Sequence, residues 1–271
     1  MQPPIFADNE TTWPPECYEL LVAGLSRIQE YEKNRKEIDM RYRTDLVFRC
    51  SAPKPKHADF MAQLISNVNT IIETRTLACY HATRLHSEEC FTIKNGGLFP
   101  LSQKLIDKRI HRQIELGNLS KEIAERLLGC NAVNDINGRR LGMIHFCFSR
   151  TPLMDKSGMY RLFRYWGGEA LYYKYEDDLE VGPLLKKIGK PTVVLAAVPI
   201  NAIKSFLTIG EYLLNSFYRC RGIIDHSSSS EGHICRAIAG DNIISLFSLG
   251  DPEFESLTSS SQWKQCGLSI E

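Results

Sequence analysis

Thr192-Val193-Val194-Leu195-Ala196-Ala197-Val198-Pro199-Ile200 is the stretch on which the fold turns. It carries no charge, and its run of apolar residues is far too short for a bilayer span, which takes about 20. A short, continuous apolar run rich in Val reads as a central strand buried on both faces. Such a strand needs neighbours, and the sequence around it supplies them. Leu77 to Thr83, Met143 to Ser149, Ala170 to Tyr175, Phe217 to Ile224, His233 to Ala237 and Ile243 to Phe247 all read as strands. Glu88 to Lys94 reads as a short helix closed by Asn95-Gly96-Gly97, and residues 102–129 as mostly helical, with Ser120 a cap. Asn137-Gly138 is a hairpin-type turn signal.

The N-terminal quarter has a different character. Cys17, Leu20, Leu21, Leu25, Ile28 and Tyr31 recur at helical spacing over residues 15–40, behind Pro14 and Pro15, which suit a helix start. Residues 44–50 read as a short strand and 51–56 as a Pro-broken loop. The spacing of Phe60, Leu64, Val68 and Ile71 predicts a helix over 58–73. A helical start followed by a strand-rich remainder predicts α+β and not alternating α/β. It divides the chain into a helical segment 1–76, a main domain 77–255 and a Ser-rich, weakly ordered tail 256–271.

Composition bounds the function. With 43 % hydrophobic and 24 % charged residues the chain is globular, neither disordered nor collagen-like. Its net charge of +1 does not advertise nucleic-acid binding. Lys104, Lys108, Arg109, His111 and Arg112 form a local basic cluster, as do Arg139 and Arg140; the plain reading is a solvated helix face and a turn. Nine cysteines, an odd number without a C-x-x-C pair, argue against a disulfide scaffold and structural zinc. Cys220, His226, His233 and Cys235 have zinc-binding types at irregular spacing, so no metal is expected. Met1-Gln2-Pro3-Pro4 lacks a secretory pattern, which places the chain in the cytosol. Phosphate-loop, dinucleotide-fold, zinc-protease and nucleophile-elbow motifs are absent, and His86-Ser87-Glu88 lacks the cysteine pair of a zinc deaminase.

Four constellations remain. In Tyr80-His81-Ala82-Thr83-Arg84, a His at a strand end can bond a ribose hydroxyl while Thr83 binds other polar groups, or His81 is structural. Phe146 to Met154 sends Arg150 from an apolar strand into a Pro turn. There its planar fork suits a pyrophosphate or carboxylate, or ties down its own loop. Tyr160 to Tyr173 is dense in aromatics and Arg. Tyr165, Trp166 and Tyr172 can stack on a flat ligand, or form core, and Glu169 is a second acid or a partner of Arg161 or Arg164. His226 to Ile234 delivers Glu231 to the start of an apolar strand, where a carboxylate could stabilise an oxocarbenium-like sugar, or merely sit in solvent.

In order and spacing these four pieces resemble the ADP-ribosyltransferase superfamily, over roughly residues 77–247, and within it the DarT-like toxins. Tyr80-His81-Ala82-Thr83 with Ile93 to Leu98 looks like their opening His motif and Gly-Leu turn. Phe146 to Met154 looks like their aromatic strand running into Arg-x-Pro-x-Met. Glu231 with Ile234, Ile238 and Ile243 looks like their catalytic Glu and following strands. The length and helical N-terminus also resemble messenger-RNA-modifying toxins of phage-defence systems of the CmdTAC kind. The resemblance implies a pair of packed β-sheets with helices, and NAD⁺ as substrate. His81 would bind its ribose, Arg150 would hold NAD⁺ and assist transfer, and Glu231 would be catalytic. Tyr165, Trp166 or Tyr172 would lie near nicotinamide. Members of the family modify nucleic acid or protein and are often toxins with a cognate antitoxin as partner; the aromatic and Arg content of residues 160–173 favours a nucleic-acid acceptor, RNA ahead of DNA. Transfer to a protein side chain and a non-catalytic binding module are the alternatives. The helical segment before His81 and the insert 102–129 depart from DarT, so its single-stranded DNA acceptor is not carried over.

Overall fold

The computed structural model describes residues 2–133, 140–224 and 230–270; Asn137-Gly138, Arg139 and His226 to Ser229 lie outside the described residues. The chain folds as two compact units, Met1–Thr76 with Leu207–Ser228, and Leu77–Phe206 with Ser229–Glu271. No described helix is long and apolar enough to cross a membrane.

The first unit is helical. The helix expected over 15–40 is two, Pro15–Ala23 and Leu25–Thr44. Gly24 joins them because a Cβ there would crowd the Phe60 ring at 3.1 Å and the Leu20 carbonyl at 3.3 Å. Residues 44–50 are not a strand. Asp45 caps a short helix, Leu46–Ser51, its carboxylate accepting from the Phe48 amide at 2.9 Å. The helix Ala58–Ile72 buries Met61, Leu64, Val68 and Ile72 at helical spacing. Phe217 to Ile224, expected as a strand, starts in the last turns of the helix Ile209–Cys220. Thr208 and Glu211 form its capping box, and Tyr212, Leu213, Ser216 and Phe217 share its buried side.

The second unit is built on one six-stranded antiparallel sheet. Its strands are β1 (Thr76–Leu85), β2 (Ile144–Cys147), β3 (Lys190–Pro199), β4 (Lys204–Ser205), β5 (Glu231–Ile234) and β6 (Ile243–Ser248), in the order β4-β5-β2-β1-β3-β6. The uncharged run from Thr192 to Pro199 lies within β3. This strand stands between β1 and β6 and is buried from Pro191 to Val198. The architecture is α+β, with a single sheet where two packed sheets were expected. The sheet is unevenly joined, however. β2 pairs with β5 through four residues and β3 with β6 through five, while β1 meets β2 at one registered pair, Tyr80↔Cys147.

Helices Ser87–Gly96, Gln103–Glu115 and Lys121–Gly129 follow β1, and Ser120 caps the last, accepting from the Ile123 amide. Ala170 to Tyr175 is not a strand but the helix Glu169–Tyr175. Ala170, Leu171, Tyr172 and Tyr175 are buried while Tyr173 and Lys174 are exposed, a helical pattern that strand-favouring tyrosines obscured. Gly167 and Gly168, at φ 86° and 60°, make the turn that starts it. Part of the stretch 256–270, expected as a tail, packs within the second unit. Helices Pro252–Thr258 and Ser261–Lys264 bury Phe254 and Trp263 against Phe163. The buried Arg84 donates to the carbonyls of Ile188, Phe163 and Ile270, and burial pushes its pKa down to about 10.

Candidate active site

A cavity of about 920 Å³ opens in the second unit beside the β1–β2 seam. It lies at the upper end of the range for ligand pockets, about 300–1,000 Å³. β1 contributes Tyr80, His81 and Thr83; β5 contributes Glu231; the helix Gln103–Glu115 contributes Lys108, Arg109, His111, Arg112 and Glu115; and Glu88, Glu89, Arg140, His145, Arg161, Glu169 and Tyr172 also line it.

The single β1–β2 pair sets the site. His81 follows Tyr80, and its Nδ1 lies 2.9 Å from the carbonyl oxygen of His145 on β2. A carbonyl only accepts, so Nδ1 carries the proton and Nε2 is left as the ring's acceptor. Burial holds the His81 pKa below its usual value, and the charge of Arg109 adds to this against the His145 hydrogen bond. The ring packs edge-to-face on Phe146, centroids 5.9 Å apart. A neutral, fixed imidazole with one free acceptor nitrogen suits a hydroxyl donor. Thr83, two residues on, is buried and lines the same cavity.

Glu231 is the first residue of β5 and pairs with Cys147, which pairs in turn with Tyr80. Two inter-strand spacings therefore separate Glu231 from Tyr80, roughly 10 Å. Glu231 is exposed at its strand end and borders the cavity, on the side opposite β1.

Arg150 does not line the cavity. Its Nη2 donates to the Ser256 carbonyl at 2.6 Å, tying the turn after β2 to the helix Pro252–Thr258. This bond is a loop-tethering contact, one of the two roles the sequence allows for this Arg. Arg109, read from sequence as part of a solvated face, lines the cavity. Its Nε donates to Glu89 Oε1 at 2.5 Å and its guanidinium stacks on Trp166 at 4.8 Å from the ring centroid. Its Nη2 is buried without a hydrogen-bond partner. Glu89 is a hub. Burial opposes its charge, but Arg109, the His86 amide and Trp166 Nε1 together hold its carboxyl below the usual range. Arg109 is thus oriented from behind by a buried anion and an indole, with its Nη2 group still to satisfy.

The aromatic stretch is mainly core. Trp166 is fully buried, and Tyr165 packs against Tyr172 at 6.0 Å; neither Trp166 nor Tyr165 lines the cavity. Tyr172 does, with its phenol pKa pushed up by burial and by the charge of Glu169. Glu169 pairs with Arg140 through two contacts, Nε–Oε2 at 2.5 Å and Nη2–Oε1 at 3.1 Å, and not with Arg161 or Arg164. Arg161 pairs with Glu176, and Arg164 bonds Tyr160. Arg140 also reaches His145 at 2.8 Å. Burial, Arg140, His233 and His81 bring the His145 pKa down to about 4, so its ring is neutral at pH 7. No group of three or more His, Cys, Asp or Glu able to hold a metal occurs among the described residues.

Sequence reasoning passed over Arg109, Glu89, Arg140, His145 and Tyr80 as site residues. A signal for Arg109 was present. Ile106, Arg109, Ile110 and Gln113 stand at i, i+3, i+4 and i+7, which places this Arg on the buried stripe while Lys104, Lys108 and Arg112 face outward. Glu89 carried none, because its role depends on Trp166 arriving from 77 residues away.

No protein-family model, no curated protein and no solved structure matches this chain.

Proposed function

We propose that this chain is an NAD⁺-consuming ADP-ribosyltransferase. The carrying observation is that a strand-end carboxylate (Glu231), a neutral imidazole with a free acceptor (His81) and a held guanidinium with an unused N–H (Arg109) border one cavity. In this reading Arg109 takes the anion-holding role expected of Arg150 and grips the pyrophosphate. His81 Nε2 accepts from a ribose hydroxyl. The C1′–N bond to nicotinamide breaks, its electron pair leaves with the ring, and the Glu231 carboxylate stabilises the oxocarbenium-like ribose. An acceptor nucleophile then bonds to C1′ and gives its proton to Glu231.

The acceptor proposed is nucleic acid, RNA ahead of DNA, as for a cytosolic toxin held in check by an antitoxin. The resemblance to messenger-RNA-modifying toxins supports that choice. Residues 160–173 do not, because Phe163, Tyr165 and Trp166 are buried and unavailable to stack on bases. That burial favours the second reading, transfer to a protein side chain. The deciding experiment measures nicotinamide release from NAD⁺ by wild type and Glu231→Gln, with and without RNA. Labelled products are then digested with nuclease or protease. Release that needs Glu231 and label lost to nuclease is the expected result. Release by neither protein, with every acceptor supplied, would leave a binding module.

A further inference from the structure

The first unit carries a surface that the transferase reading does not use. At the turn joining the helices Leu25–Thr44 and Leu46–Ser51, four large side chains stand in solvent within eight residues: Met40 is 70 % exposed, Tyr42 48 %, Leu46 74 % and Val47 82 %. Isolated exposed apolar residues are ordinary, but a cluster this dense marks a contact surface. The same stretch, Met40 to Arg49, holds Arg41, Arg43 and Arg49 against the one acid Asp45. Asp45 is engaged, accepting from the Phe48 amide and lying 3.7 Å from Arg41.

These features select among occupants. A second copy docking by two-fold symmetry would bring the arginines face to face with themselves. A single-stranded nucleic acid would stack bases on the aromatic rings. Both rings already carry a guanidinium, Arg41 over Phe48 at 4.4 Å and Arg49 over Tyr42 at 5.4 Å. What remains exposed is aliphatic surface with a cationic rim, where Met, Tyr and Arg are the types enriched at protein interfaces. We propose that the Met40–Arg49 turn docks an acidic, amphipathic segment of a partner protein, which lays apolar side chains on Leu46 and Val47 and carboxylates against Arg43 and Arg49.

The probe is a fluorescein-labelled helical peptide with leucines at i, i+3, i+4 and i+7 and glutamates elsewhere, titrated with the full chain and read by anisotropy. Its lysine counterpart and a uridine oligonucleotide run in parallel. The acidic peptide is expected to bind, to weaken with salt, and to lose roughly tenfold or more in affinity in Leu46→Ser/Val47→Ser and in Arg43→Glu. All three changes fall on exposed side chains, and circular dichroism checks that helix content is kept. Absence of peptide binding to the wild type, or binding unchanged in both variants, overturns the proposal. So does oligonucleotide binding that Arg43→Glu abolishes, or a dimer in sedimentation that Leu46→Ser/Val47→Ser dissolves; these would assign the surface to nucleic acid or to a second copy.

Discussion

Trp166 Nε1 donates to Glu89 Oε2 at 2.9 Å, while the same indole lies under the guanidinium of Arg109 and the other oxygen of Glu89 accepts from Arg109 Nε. The three side chains form a closed support whose outward end is an arginine facing a cavity. Glu89→Gln keeps the shape and removes the charge, leaving Arg109 half-buried without its counter-ion. A cost of about 2 kcal/mol is expected at pH 7. The folded-state pKa of Glu89 is depressed, so its contribution is fully present above the unfolded value of about 4.3 and is lost as pH falls through the folded one. Urea unfolding of wild type and Glu89→Gln should therefore show a gap at neutral pH that closes in acid.

The two arginines are separable in the same way. Arg109→Lys replaces a planar fork by a point charge that neither stacks on Trp166 in the same manner nor spans two oxygens. NAD⁺ affinity should drop by roughly tenfold or more, the scale of a charge-assisted hydrogen bond. Arg150→Ala removes a side chain that lies outside the cavity and tethers the turn after β2 to Ser256. Isothermal titration of NAD⁺ should find its affinity unchanged, and the reverse ranking would return the anion role to Arg150.

The contrast shows what the sequence could convey. β3 was legible because a continuous apolar run has few other uses, and the helix Ala58–Ile72 because its buried positions recur at one spacing. Tyr172-Tyr173 and Phe217-Tyr218 misled because intrinsic strand preference is weak and burial on a helix face overrode it. At the site, His81 and Glu231 were visible as polar residues in apolar strands; Glu231 does open β5, but β1 runs on to Leu85 and places His81 mid-strand and not at the expected strand end. The Glu89–Arg109–Trp166 support was not: helical spacing puts Arg109 on a buried stripe, but nothing local joins it to Glu89 and Trp166. The packed C-terminus was hidden for a similar reason: a Ser-rich composition said nothing of where Trp263 and Ile270 would find their partners.

That C-terminus yields a stability prediction. Trp263 is buried against Phe163, and the Ile270 carbonyl is one of three acceptors for the buried Arg84. Trp263→Ala should cost about 3 kcal/mol through lost burial and the cavity left behind. Truncation after residue 260 should cost more, because Arg84 then also loses an acceptor. Urea midpoints of the three proteins test the order, and a truncated chain as stable as wild type would show that the helix Ser261–Lys264 is not part of the core.

His145 predicts the acid behaviour of the second unit. Its folded pKa of about 4 lies below the unfolded value of about 6.5, so between these the unfolded chain binds more protons. Stability should then fall as pH drops through that window and level off below it. His145→Gln can still accept from Arg140 but does not titrate. Thermal melts at pH 7, 5.5 and 4 should show a shallower decline in the variant, and parallel curves would mean that other groups carry the effect.

On the proposed function, the choice of catalytic acid turns on where the two carboxylates stand. Glu169 is held by Arg140 through both oxygens, which ties its carboxylate to that guanidinium. Glu231 opens β5 at the mouth of the cavity, in register with Cys147 and Tyr80, where a carboxylate can approach a sugar carbon bound near His81. Glu231→Gln keeps size and removes charge, so nicotinamide release should fall by about 10²–10³ or more while NAD⁺ still binds. Glu169→Gln should weaken the hold on Arg140 and lower release much less. Single-turnover release measured for both variants at saturating NAD⁺ decides between them. If Glu169→Gln proved the inactive one, Arg140 would have to leave Glu169 when NAD⁺ binds, and the Arg140–Glu169 pair would be a latch on the active site and not a part of its wall.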